Sequence, residues 1–446
     1  MIPVIAIIGR PNVGKSTLFN CLTKTRDAIV ADVPGVTRDR QYGQGRVGEK
    51  PFVVIDTGGI EEEQGIVSLM TAHAKIAIQE ADVILFLVDG QSGLTVSDET
   101  IAKELRKVEK PVWLVINKTD GMNPDIAKSD FYRLGFKEPI AIAASHGRGI
   151  TALIEIVLKN VESSAQNIQE PEEPGIKFAL IGKPNVGKST LANRILGEER
   201  VLVFDKPGTT RDSIFVPFER QGQKYTLIDT AGIRRRSRIE EAVEKFSVVK
   251  SMQAIEAADV IVFIIDAVEN IAEQDLRLIG HVLQAGRGLV IAINKWDGMA
   301  KDQKEAVKRE LSRRLTFTDF ARQHFISALH GTGVGDLFKS INEAYRSVTC
   351  SLKTNTLTEI LLAATEAHQP PLVNGRRIKL RYAHQGGRHP PRIVIHGTQT
   401  KAVPESYQRY LINTFRKKIK LMGAPIVLIF KTSKNPFEGR KNPGLG

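Results

Sequence analysis

Short apolar runs alternate with amphipathic stretches over most of the chain. The runs Ile2–Ile8 and Val83–Val88 have the length of buried strands, and apolar residues at helical spacing follow them. Strands and helices that alternate in this way are typical of a mostly parallel sheet flanked by helices, so we predict an α/β fold. No run approaches the roughly 20 apolar residues that span a bilayer, and the first residues lack a signal-peptide pattern. We therefore expect a cytoplasmic protein without a membrane segment.

The pattern changes after residue 350. Apolar positions there follow the order helix, strand, strand, helix, strand, which predicts a small α+β domain. The predicted elements are Leu357–His368, Ile378–His384, Arg392–His396, Pro404–Lys420 (with the proline in the first turn) and Pro425–Lys431. Gly, Pro and Lys dominate residues 432–446, and we expect this tail to be disordered.

The first 350 residues contain an internal repeat. IAIIGRPNVGKSTLFN at residues 5–20 recurs as FALIGKPNVGKSTLAN at 178–193, and four further segments recur in the same order. Equivalent residues are 173 apart up to Asp56 and 177 apart from Asp82 onward, which indicates duplicated domains. We place the first domain at residues 1–160, a polar, acidic linker at 161–175, the second domain at 176–350 and the third domain at 351–446.

Each repeat has a glycine-rich loop between an apolar strand and a helix. The motifs are Gly9-x4-Gly14-Lys15-Ser16 and Gly182-x4-Gly187-Lys188-Ser189. In this context the glycines let backbone N–H groups surround phosphate oxygens, the lysine neutralises the β- and γ-phosphates, and the serine hydroxyl can bind Mg²⁺. The predicted phosphate-site residues are Gly9, Pro11, Asn12, Val13, Gly14, Lys15, Ser16 and Thr17 in the first domain, and Gly182, Pro184, Asn185, Val186, Gly187, Lys188, Ser189 and Thr190 in the second.

A carboxylate and a glycine follow a later apolar strand of each repeat. These DxxG segments are Asp56-Thr57-Gly58-Gly59 and Asp229-Thr230-Ala231-Gly232. The carboxylate can hold a metal ion through water, and the N–H group of the last glycine can sense the γ-phosphate. Such a segment alone is usually only a turn, but after a phosphate loop it indicates a nucleotide switch.

Two NKxD segments, Asn117–Asp120 and Asn294–Asp297, end further apolar strands. Their aspartates can accept two hydrogen bonds from guanine, and adenine lacks those donors, so the motif predicts GTP rather than ATP. We expect the lysines to cover the base and the asparagines to tie this loop to the phosphate loop. The predicted guanine-site residues are Asn117, Lys118, Asp120 and Ala144 in the first domain, and Asn294, Lys295, Asp297, Ser327 and Ala328 in the second.

The last loop of each nucleotide site is predicted at residues 143–147 and 327–331. The backbone N–H groups of Ala144 and Ala328 can donate to the guanine carbonyl. His146 and His330 are expected to position this loop and not to act as catalysts, because the loop meets the base and not the γ-phosphate.

The net charge of +13 is concentrated at the end of the chain. Residues 351–446 contain 17 Lys and Arg against 4 Asp and Glu, so they carry the whole excess. Such asymmetry indicates a polyanionic partner, although a solvated face is the ordinary role of such side chains. The predicted exposed basic residues are Arg376, Arg377, Lys379, Arg381, Arg388 and Arg392, and Arg416, Lys417, Lys418 and Lys420. The two cysteines, Cys21 and Cys350, fit a reducing compartment, and we predict that Cys21 is a small buried apolar residue.

With these motifs, nearly the whole chain resembles the Der (EngA) family of bacterial GTPases, which has two G domains and a C-terminal KH-like domain. The resemblance implies two GTP/GDP sites, GTP hydrolysis linked to assembly of the large ribosomal subunit, and that subunit with its RNA as partners. It also implies that Thr37 and Thr210 bind Mg²⁺ when GTP is present. Asn12 and Asn185 resemble the asparagine that holds K⁺ in potassium-activated GTPases, with a purely loop-shaping role as the alternative.

These expectations assign the site residues by role. The predicted catalytic residues are Lys15, Thr37, Gly59, Lys188, Thr210 and Gly232. The predicted metal ligands are Ser16, Thr37, Asp56, Ser189, Thr210 and Asp229 for Mg²⁺, and Asn12 and Asn185 for K⁺. We expect the free protein to be a monomer, and the basic segment Arg234–Arg238 to transmit the nucleotide state of the second domain.

The chain departs from the family pattern in two places. Ala143 stands where a serine usually begins the last loop, whereas Ser327 keeps it, so we expect a slightly less rigid loop in the first domain. The third domain lacks the Gly-x-x-Gly loop with which KH domains hold nucleotides, so RNA binding there needs another surface. In addition, Ile60 and Ile233 stand where Ras-like enzymes have a water-orienting glutamine, so another group must stabilise the transition state.

Two other functions stay open at this point. The chain could be a basic RNA-binding module whose G domains bind GTP and scarcely hydrolyse it, which a turnover measurement distinguishes. It could also be an ATP-driven transport or remodelling enzyme, against which the two NKxD segments argue.

Overall fold

A computed structural model describes residues 2–24, 29–30, 41–48, 50–57, 72–164, 175–197, 201–203, 215–228, 248–373 and 376–432. The described residues form two compact units. One unit contains the first G domain together with the helix Val248–Ala257, and the other contains the rest of the second G domain and the third domain. No helix among the described residues is both long and apolar enough to cross a membrane.

The first G domain is built on a mostly parallel sheet. Its strands are β1 (Val4–Ile8), β2 (Ile29–Val30), β3 (Gln41–Gly45), β4 (Phe52–Asp56), β5 (Val83–Asp89), β6 (Val112–Asn117) and β7 (Ile140–Ala141), and its helices are α1 (Lys15–Thr23), α2 (Ala72–Glu80), α3 (Val96–Leu105), α4 (Pro124–Ser129) and α5 (Ile150–Ser164). The strand order is β2-β3-β4-β1-β5-β6-β7. β3 pairs antiparallel with both of its neighbours, and the remaining pairs are parallel.

The second G domain repeats this topology. Its strands are β8 (Ile176–Ile181), β9 (Val201–Val203), β10 (Phe215–Arg220), β11 (Gln223–Ile228), β12 (Val260–Asp266), β13 (Gly288–Asn294) and β14 (Arg322–Phe325), and its helices are α6 (Lys188–Leu196), α7 (Val248–Ala257), α8 (Glu273–Gln284), α9 (Lys301–Arg314) and α10 (Val334–Thr349). The strand order β9-β10-β11-β8-β12-β13-β14 matches that of the first domain position by position. The predicted α/β architecture is confirmed in both repeats.

Apolar packing places the helix that follows each phosphate loop against the sheet. Every residue of β1 and of β5 is buried, as expected for central strands of a covered sheet. On one face of the first sheet, Ile5 and Ile7 belong to the same core as Phe19 of α1 and Leu153 of α5. Because α1 begins shortly after β1 ends, its start lies at the carboxyl end of β1, where α/β folds bind their ligands.

The third domain has the predicted order of elements. It comprises α11 (Thr354–Ala367), β15 (Leu372–Val373), β16 (Arg376–Arg377), β17 (Lys379–Gly387), β18 (Arg392–Thr398), α12 (Glu405–Ile419) and β19 (Val427–Thr432). β17 pairs antiparallel with β18, and β18 pairs parallel with β19. The β15–β16 ladder was not predicted, because strands of two residues are too short to show a pattern. Pro404 precedes α12 in an extended conformation and does not lie in its first turn.

Helices α11 and α12 cover one face of this three-stranded sheet. Their apolar residues share a core with the inward side chains of β17 and β18, and the central members of this core are Leu357, Leu361, Ile393, Ile395, Leu411 and Phe415. Each of these six side chains is fully buried.

The third domain is joined to the second G domain by backbone hydrogen bonds. The N–H group of Gly423 donates to the carbonyl of Phe320, and the N–H group of Leu289 donates to the carbonyl of Gly423, both at 2.7 Å. Gly423 has φ +73°, which favours glycine, and a Cβ there would lie 2.5 Å from the Cβ of Ala344. This contact therefore requires a glycine.

One of the predicted exposed basic residues is only partly exposed at this junction. The Arg416 side chain is only 14% exposed and pairs with Asp319 at 3.1 Å. Its guanidinium also lies over the ring of Phe320, at 4.7 Å from the centroid. The prediction that Arg416 belongs to the exposed basic group is therefore wrong, because an acidic and an aromatic partner from the second G domain hold it. Lys417, Lys418 and Lys420, which follow it, are exposed.

Candidate guanine-nucleotide sites

The phosphate loop of the first domain leads from β1 into α1. Gly14 is the N-cap of α1 at φ +95°, and a Cβ at this position would meet the Nδ2 atom of Asn117. A Cβ at Gly9 would overlap the carbonyl oxygen of Leu87. The loop therefore needs glycine at both positions. Because Gly14 has no side chain that could cap the helix, the first N–H groups of α1 can donate to phosphate oxygens.

The second phosphate loop has the same geometry. Gly187 is the N-cap of α6 at φ +98°, and a Cβ there would meet the Nδ2 atom of Asn294. A Cβ at Gly182 would overlap the carbonyl oxygen of Ile264. Asn12 and Asn185 occupy the left-handed region at φ +65° and +62°. Asparagine adopts this conformation more readily than most residues, so loop geometry alone explains part of its presence.

The lysine of each phosphate loop lies folded onto the loop. The Nζ atom of Lys15 donates to the carbonyls of Gly9 at 3.0 Å and Arg10 at 2.8 Å. Lys188 donates to the equivalent carbonyls of Gly182 at 3.1 Å and Lys183 at 2.5 Å. Burial lowers the pKa of Lys15, and the charge of Asp56 opposes this shift. A cation is thus held at the centre of a loop of N–H donors, which suits a bound polyphosphate.

Asp56 is placed beside the phosphate loop by the register of the sheet. It is the last residue of β4, is fully buried, and pairs with Ile7 of β1. A buried carboxylate near Lys15 fits the chemistry of a Mg²⁺ site, because Mg²⁺ binds oxygen ligands. Other predicted switch and metal residues lie outside the described residues: Thr37, Gly59, Ile60, Thr210, Asp229, Gly232, Ile233 and Arg234–Arg238.

One asparagine in each domain links the phosphate loop to the base loop. The Nδ2 atom of Asn117 donates to the carbonyl of Val13 at 2.9 Å, and its Oδ1 atom accepts from the N–H group of Ala144 at 3.0 Å. Asn294 makes the same bonds to Val186 at 2.7 Å and from Ala328 at 2.9 Å. The N–H groups that the sequence assigns to the guanine carbonyl therefore already donate to these asparagines.

The NKxD lysines are held by carboxylates that sequence reasoning did not identify. Lys118 Nζ contacts the carbonyl of Asn12 and the Oδ2 atom of Asp89, both at 2.8 Å. Lys295 pairs with Asp266 at 2.5 Å. Burial alone would raise the pKa of Asp89, but hydrogen bonds from Lys118 and nearby backbone N–H groups outweigh it, and the pKa is lowered. An ionised carboxylate thus fixes the lysine stem beside the base loop.

A second pair of buried carboxylates contacts the cation that follows the first glycine of each phosphate loop. Arg10 lies 3.6 Å from Asp98 and 4.0 Å from Asp89. Lys183 lies 2.9 Å from Asp275, and burial raises the pKa of that carboxyl although Lys183 opposes the shift. Asp98 and Asp275 are 177 residues apart, like the NKxD asparagines. That offset was the one sequence signal that could have revealed them.

The aspartates predicted to recognise guanine lie next to the histidines of the last loop. His146 Nε2 is 3.3 Å from Asp120, and His330 Nε2 is 3.2 Å from Asp297. Both histidines contact the base-recognition carboxylates and not the phosphate-loop lysines. This placement supports a positioning role for them.

The two base loops differ where Ala143 replaces a serine. In the second domain, the Ser327 hydroxyl accepts from the N–H group of His330 at 3.2 Å and donates to Asp297. This hydrogen bond is the largest cause of the lowered pKa of Asp297. Ala143 has no hydroxyl, and the N–H group of His146 donates to its backbone carbonyl at 3.1 Å. The first base loop therefore lacks one hydrogen bond to its recognition carboxylate.

Cys21 lies beneath the first base loop. It is half-buried against the first core, and its Sγ atom donates to the carbonyl of Ala144 at 3.1 Å. Burial raises the pKa of the thiol. These features agree with a small packing residue and not with a reactive nucleophile.

Comparison with known protein families assigns both repeats and the third domain. A family model described as 50S ribosome-binding GTPase matches residues 4–118 and 177–295. A second model, the C-terminal KH-domain-like domain of EngA bacterial GTPase enzymes, matches residues 352–431.

Curated proteins match over the same extent. GTPase Der of Saccharophagus degradans is 59% identical over 443 residues, which cover 99% of this chain and 94% of that protein. GTPase Der of Vibrio vulnificus is 56% identical over 474 residues, with 99% and 96% covered.

Solved structures are similar at lower identity. Era in complex with MgGDPNP and a segment of 16S ribosomal RNA is 23% identical, covers 58% of this chain and 93% of its own, and has a TM-score of 0.30. The G domain of the T. maritima FeoB iron transporter is 26% identical, covers 38% of this chain and 98% of its own, and has a TM-score of 0.27.

Proposed function

The chain belongs to the Der family of GTPases, and on that premise we propose that it is a GTP-driven switch that binds the large ribosomal subunit or its precursor and acts in ribosome assembly. Hydrolysis of GTP is the activity of the family, so the ATP-driven alternative is set aside. The observation that carries the ribosomal part is that the model described as a 50S ribosome-binding GTPase matches both G domains. A ribosomal partner implies a cytoplasmic location.

We assign one GTP/GDP site to each G domain. In both sites the lysine of the phosphate loop would turn from its loop carbonyls to the β- and γ-phosphates, where its charge is needed. Ser16 and Asp56 in the first site, and Ser189 and Asp229 in the second, would hold Mg²⁺, which supplies positive charge to the phosphates. Thr37 and Thr210 would complete that set when GTP is bound, and Gly59 and Gly232 would report the γ-phosphate.

Base recognition falls to the carboxylates beside the last loop. Asp120 and Asp297 would each accept two hydrogen bonds from guanine, and Lys118 and Lys295 would lie along the base. The N–H groups of Ala144 and Ala328 would then be shared between the asparagine and the guanine carbonyl. A site of this kind leaves its carboxylate unpaired with the wrong base, which can discriminate by roughly 10⁴–10⁵.

The third domain would provide the contact with ribosomal RNA. It carries the entire excess of positive charge, and its residues Lys379, Arg381, Arg392, Lys417 and Lys418 are exposed. Charge alone does not select the large subunit, because all ribosomal RNA is anionic. Selection would come from shape and from the nucleotide state of the switch segments.

Co-sedimentation with separated ribosomal subunits tests the proposal. We expect the full chain to pellet with large subunits when a non-hydrolysable GTP analogue is present, and weakly with GDP. A chain that ends at residue 350 should lose this binding while both G domains still bind GTP. Binding that ignores the nucleotide would contradict the switch, and full binding by the shortened chain would contradict the role of the third domain.

We also propose that K⁺ assists hydrolysis through Asn12 and Asn185. A monovalent cation between the β- and γ-phosphates would neutralise charge that develops there, as an arginine finger does. The expected result is hydrolysis at least about tenfold faster in KCl than in NaCl at equal ionic strength. Asn12→Gly with Asn185→Gly should remove this difference, because glycine keeps the left-handed backbone and lacks the amide oxygen.

The aspartate variants are the second measurement. Asn12→Asp with Asn185→Asp keeps an oxygen ligand and adds charge, so it should change the KCl-to-NaCl rate ratio. If the rates of the unaltered chain are equal in both salts, or if the glycine variant keeps the full ratio, the two asparagines only shape the loop.

A further inference from the structure

The sheet of the third domain has one face opposite α11 and α12, on which Val394 is buried and Tyr382 is exposed. Ala383, Ile393 and Ile395 point to the helical core. Because side chains alternate along a strand, their neighbours in β17 and β18 point the other way. Tyr382 and His396 are directly paired there, and His396 is paired with Lys431 of β19.

A β-bulge puts Tyr382 on this face, opposite the helices. Leu380 pairs with Gly397 and Tyr382 pairs with His396, so Arg381 is an extra residue in β17. Leu380 is buried in the core, and without the extra residue Tyr382 would point to the same side as Leu380. The bulge therefore directs an aromatic ring away from the core, at a position where simple alternation would bury it.

Three rings form a cluster on this face. Tyr382 and His396 stack with centroids 4.4 Å apart and planes within 5°. His384 lies 5.1 Å from His396 and 6.2 Å from Tyr382, with interplanar angles of 27° and 25°. Tyr382 is 43% exposed. We call Tyr382, His384 and His396 the ring cluster.

The surroundings of the ring cluster are positively charged. Strands β17, β18 and β19 contain no Asp or Glu, and their basic residues Lys379, Arg381, Arg392 and Lys431 are all exposed. Partial burial, together with the neighbouring His384 and Lys431, lowers the pKa of His396. Stacked flat rings within a basic rim are the arrangement that proteins use for unpaired nucleic-acid bases, with cations on the backbone phosphates.

We propose that the ring cluster is a stacking surface for unpaired RNA bases, and that the exposed basic residues of the three strands hold the adjoining phosphates. The inference rests on the proposed ribosomal function and adds the contact surface and the RNA class. It also gives the third domain a route to RNA that does not need the missing Gly-x-x-Gly loop. Double-stranded RNA keeps its bases stacked internally, so it should not use this surface.

The test compares three side chains at one position, in the full chain, with a single-stranded RNA of about 12 nucleotides as the probe. Tyr382→Leu keeps apolar bulk but removes the ring, and should weaken binding about 5- to 100-fold. Tyr382→Phe keeps the ring and should bind within about twofold of the unaltered chain. The slope of affinity against salt should be the same in all three, because no phosphate contact is lost. A duplex of equal length should show no difference between Leu and Tyr.

Three outcomes would overturn the proposal: no binding of the single strand by the unaltered chain, equal binding by Tyr382→Leu, or an equal loss in Tyr382→Phe. Co-sedimentation separates this result from the proposed function. If Tyr382→Leu binds single strands normally while the unaltered chain pellets with large subunits, the ring cluster is wrong and the ribosomal function stands. If binding of the single strand depends on the Tyr382 ring but the unaltered chain does not pellet with ribosomes, the ribosomal function is wrong and base stacking stands. A surface that instead binds a ribosomal protein would give ribosome pelleting without any single-strand binding.

Discussion

Asn117 and Asn294 each join the two ends of a nucleotide site through a single amide group. The donor end holds the phosphate loop and the acceptor end holds the base loop. A side chain with this double role cannot be replaced by aspartate, which has no donor, or by leucine, which has neither group. The position of the base loop therefore depends on the conformation of the phosphate loop.

Motif residues and their supporting residues differ in how far the sequence reveals them. The phosphate and base motifs follow the ends of apolar strands, and strand ends at one edge of a parallel sheet must meet, so these residues could be assigned in advance. Asp89 and Asp98 carry no motif. Their roles arise from pairing with Lys118 and Arg10 in the folded chain, and a local pattern does not show such pairs.

The hydroxyl of Ser327, at the start of the second base loop, donates to the carboxylate that is predicted to recognise guanine. Ser327→Ala removes the hydroxyl bond to Asp297, so GTP affinity at the second site should fall by up to about tenfold. Ala143→Ser offers the first site the missing hydroxyl and should leave affinity equal or higher. Fluorescent GTP analogues measure both effects by titration.

Separating the two sites requires a change in base preference. Asp120→Asn in the Ser327→Ala chain should move the first site toward xanthine nucleotides, because an amide no longer accepts both guanine hydrogen bonds, and GTP then reports the second site. In the Ala143→Ser chain, Asp297→Asn should likewise move the second site toward xanthine nucleotides, so that GTP reports the first site. Unchanged GTP affinity after Ser327→Ala would mean that the serine has no part in base recognition.

Among the secondary-structure elements, long strands were predicted more reliably than the details that redirect them. The order of elements in the third domain followed from apolar spacing. The bulge at Arg381 did not, because an added residue reverses the alternation on which such spacing depends. The turn at Gly423 could not be predicted either, because its backbone hydrogen bonds join it to residues of another domain.

Gly423 supports a prediction about the attachment of the third domain. Gly423→Ala places a methyl group against Ala344 and requires alanine to adopt the left-handed backbone that glycine has here. The second unit should therefore lose about 2–5 kcal/mol of stability. Gly222→Ala is the matched control, because Gly222 also has a positive φ and nothing within 4 Å of its Cβ position. We expect the control to cost about 1–2 kcal/mol.

Hydrogen exchange measured by mass spectrometry gives the local readout. The amide of Leu289, which donates to Gly423, should exchange faster in Gly423→Ala than in Gly222→Ala. Equal exchange and equal stability in the two variants would show that this junction does not hold the third domain.

In the whole chain, the nucleotide-binding motifs and the excess of positive charge lie in different parts of the sequence. The first 350 residues are balanced in charge, and the last 96 carry the net +13. Domain number and charge distribution could be predicted because they depend on composition and repetition alone. The grouping of α7 with the first G domain could not, since it involves contacts such as that of Gln253 with the carbonyl of Ile2, 251 residues away in sequence.

The charge distribution predicts the salt dependence of RNA binding. Contact with about five phosphates of single-stranded RNA should reduce affinity near 3000-fold for each tenfold rise in salt, from a slope of roughly −0.7 per phosphate. The measurement is a titration of single-stranded RNA at four salt concentrations, with the full chain and with a chain that ends at residue 350. The shortened chain should bind weakly at every concentration. A flat salt response of the full chain would exclude phosphate contacts as a source of affinity.

The charge pair at the start of each phosphate loop bears on how this protein tolerates variation. The two phosphate loops carry different cations at this position, Arg10 in the first and Lys183 in the second, and each pairs with a buried aspartate. Where the two loops differ in side chain yet both keep the ion pair, we infer that the shared property is the one that the fold needs. Here that property is a positive charge on a side chain long enough to reach the aspartate. Arg10→Lys should therefore be tolerated, whereas reversal of the charge should not be tolerated.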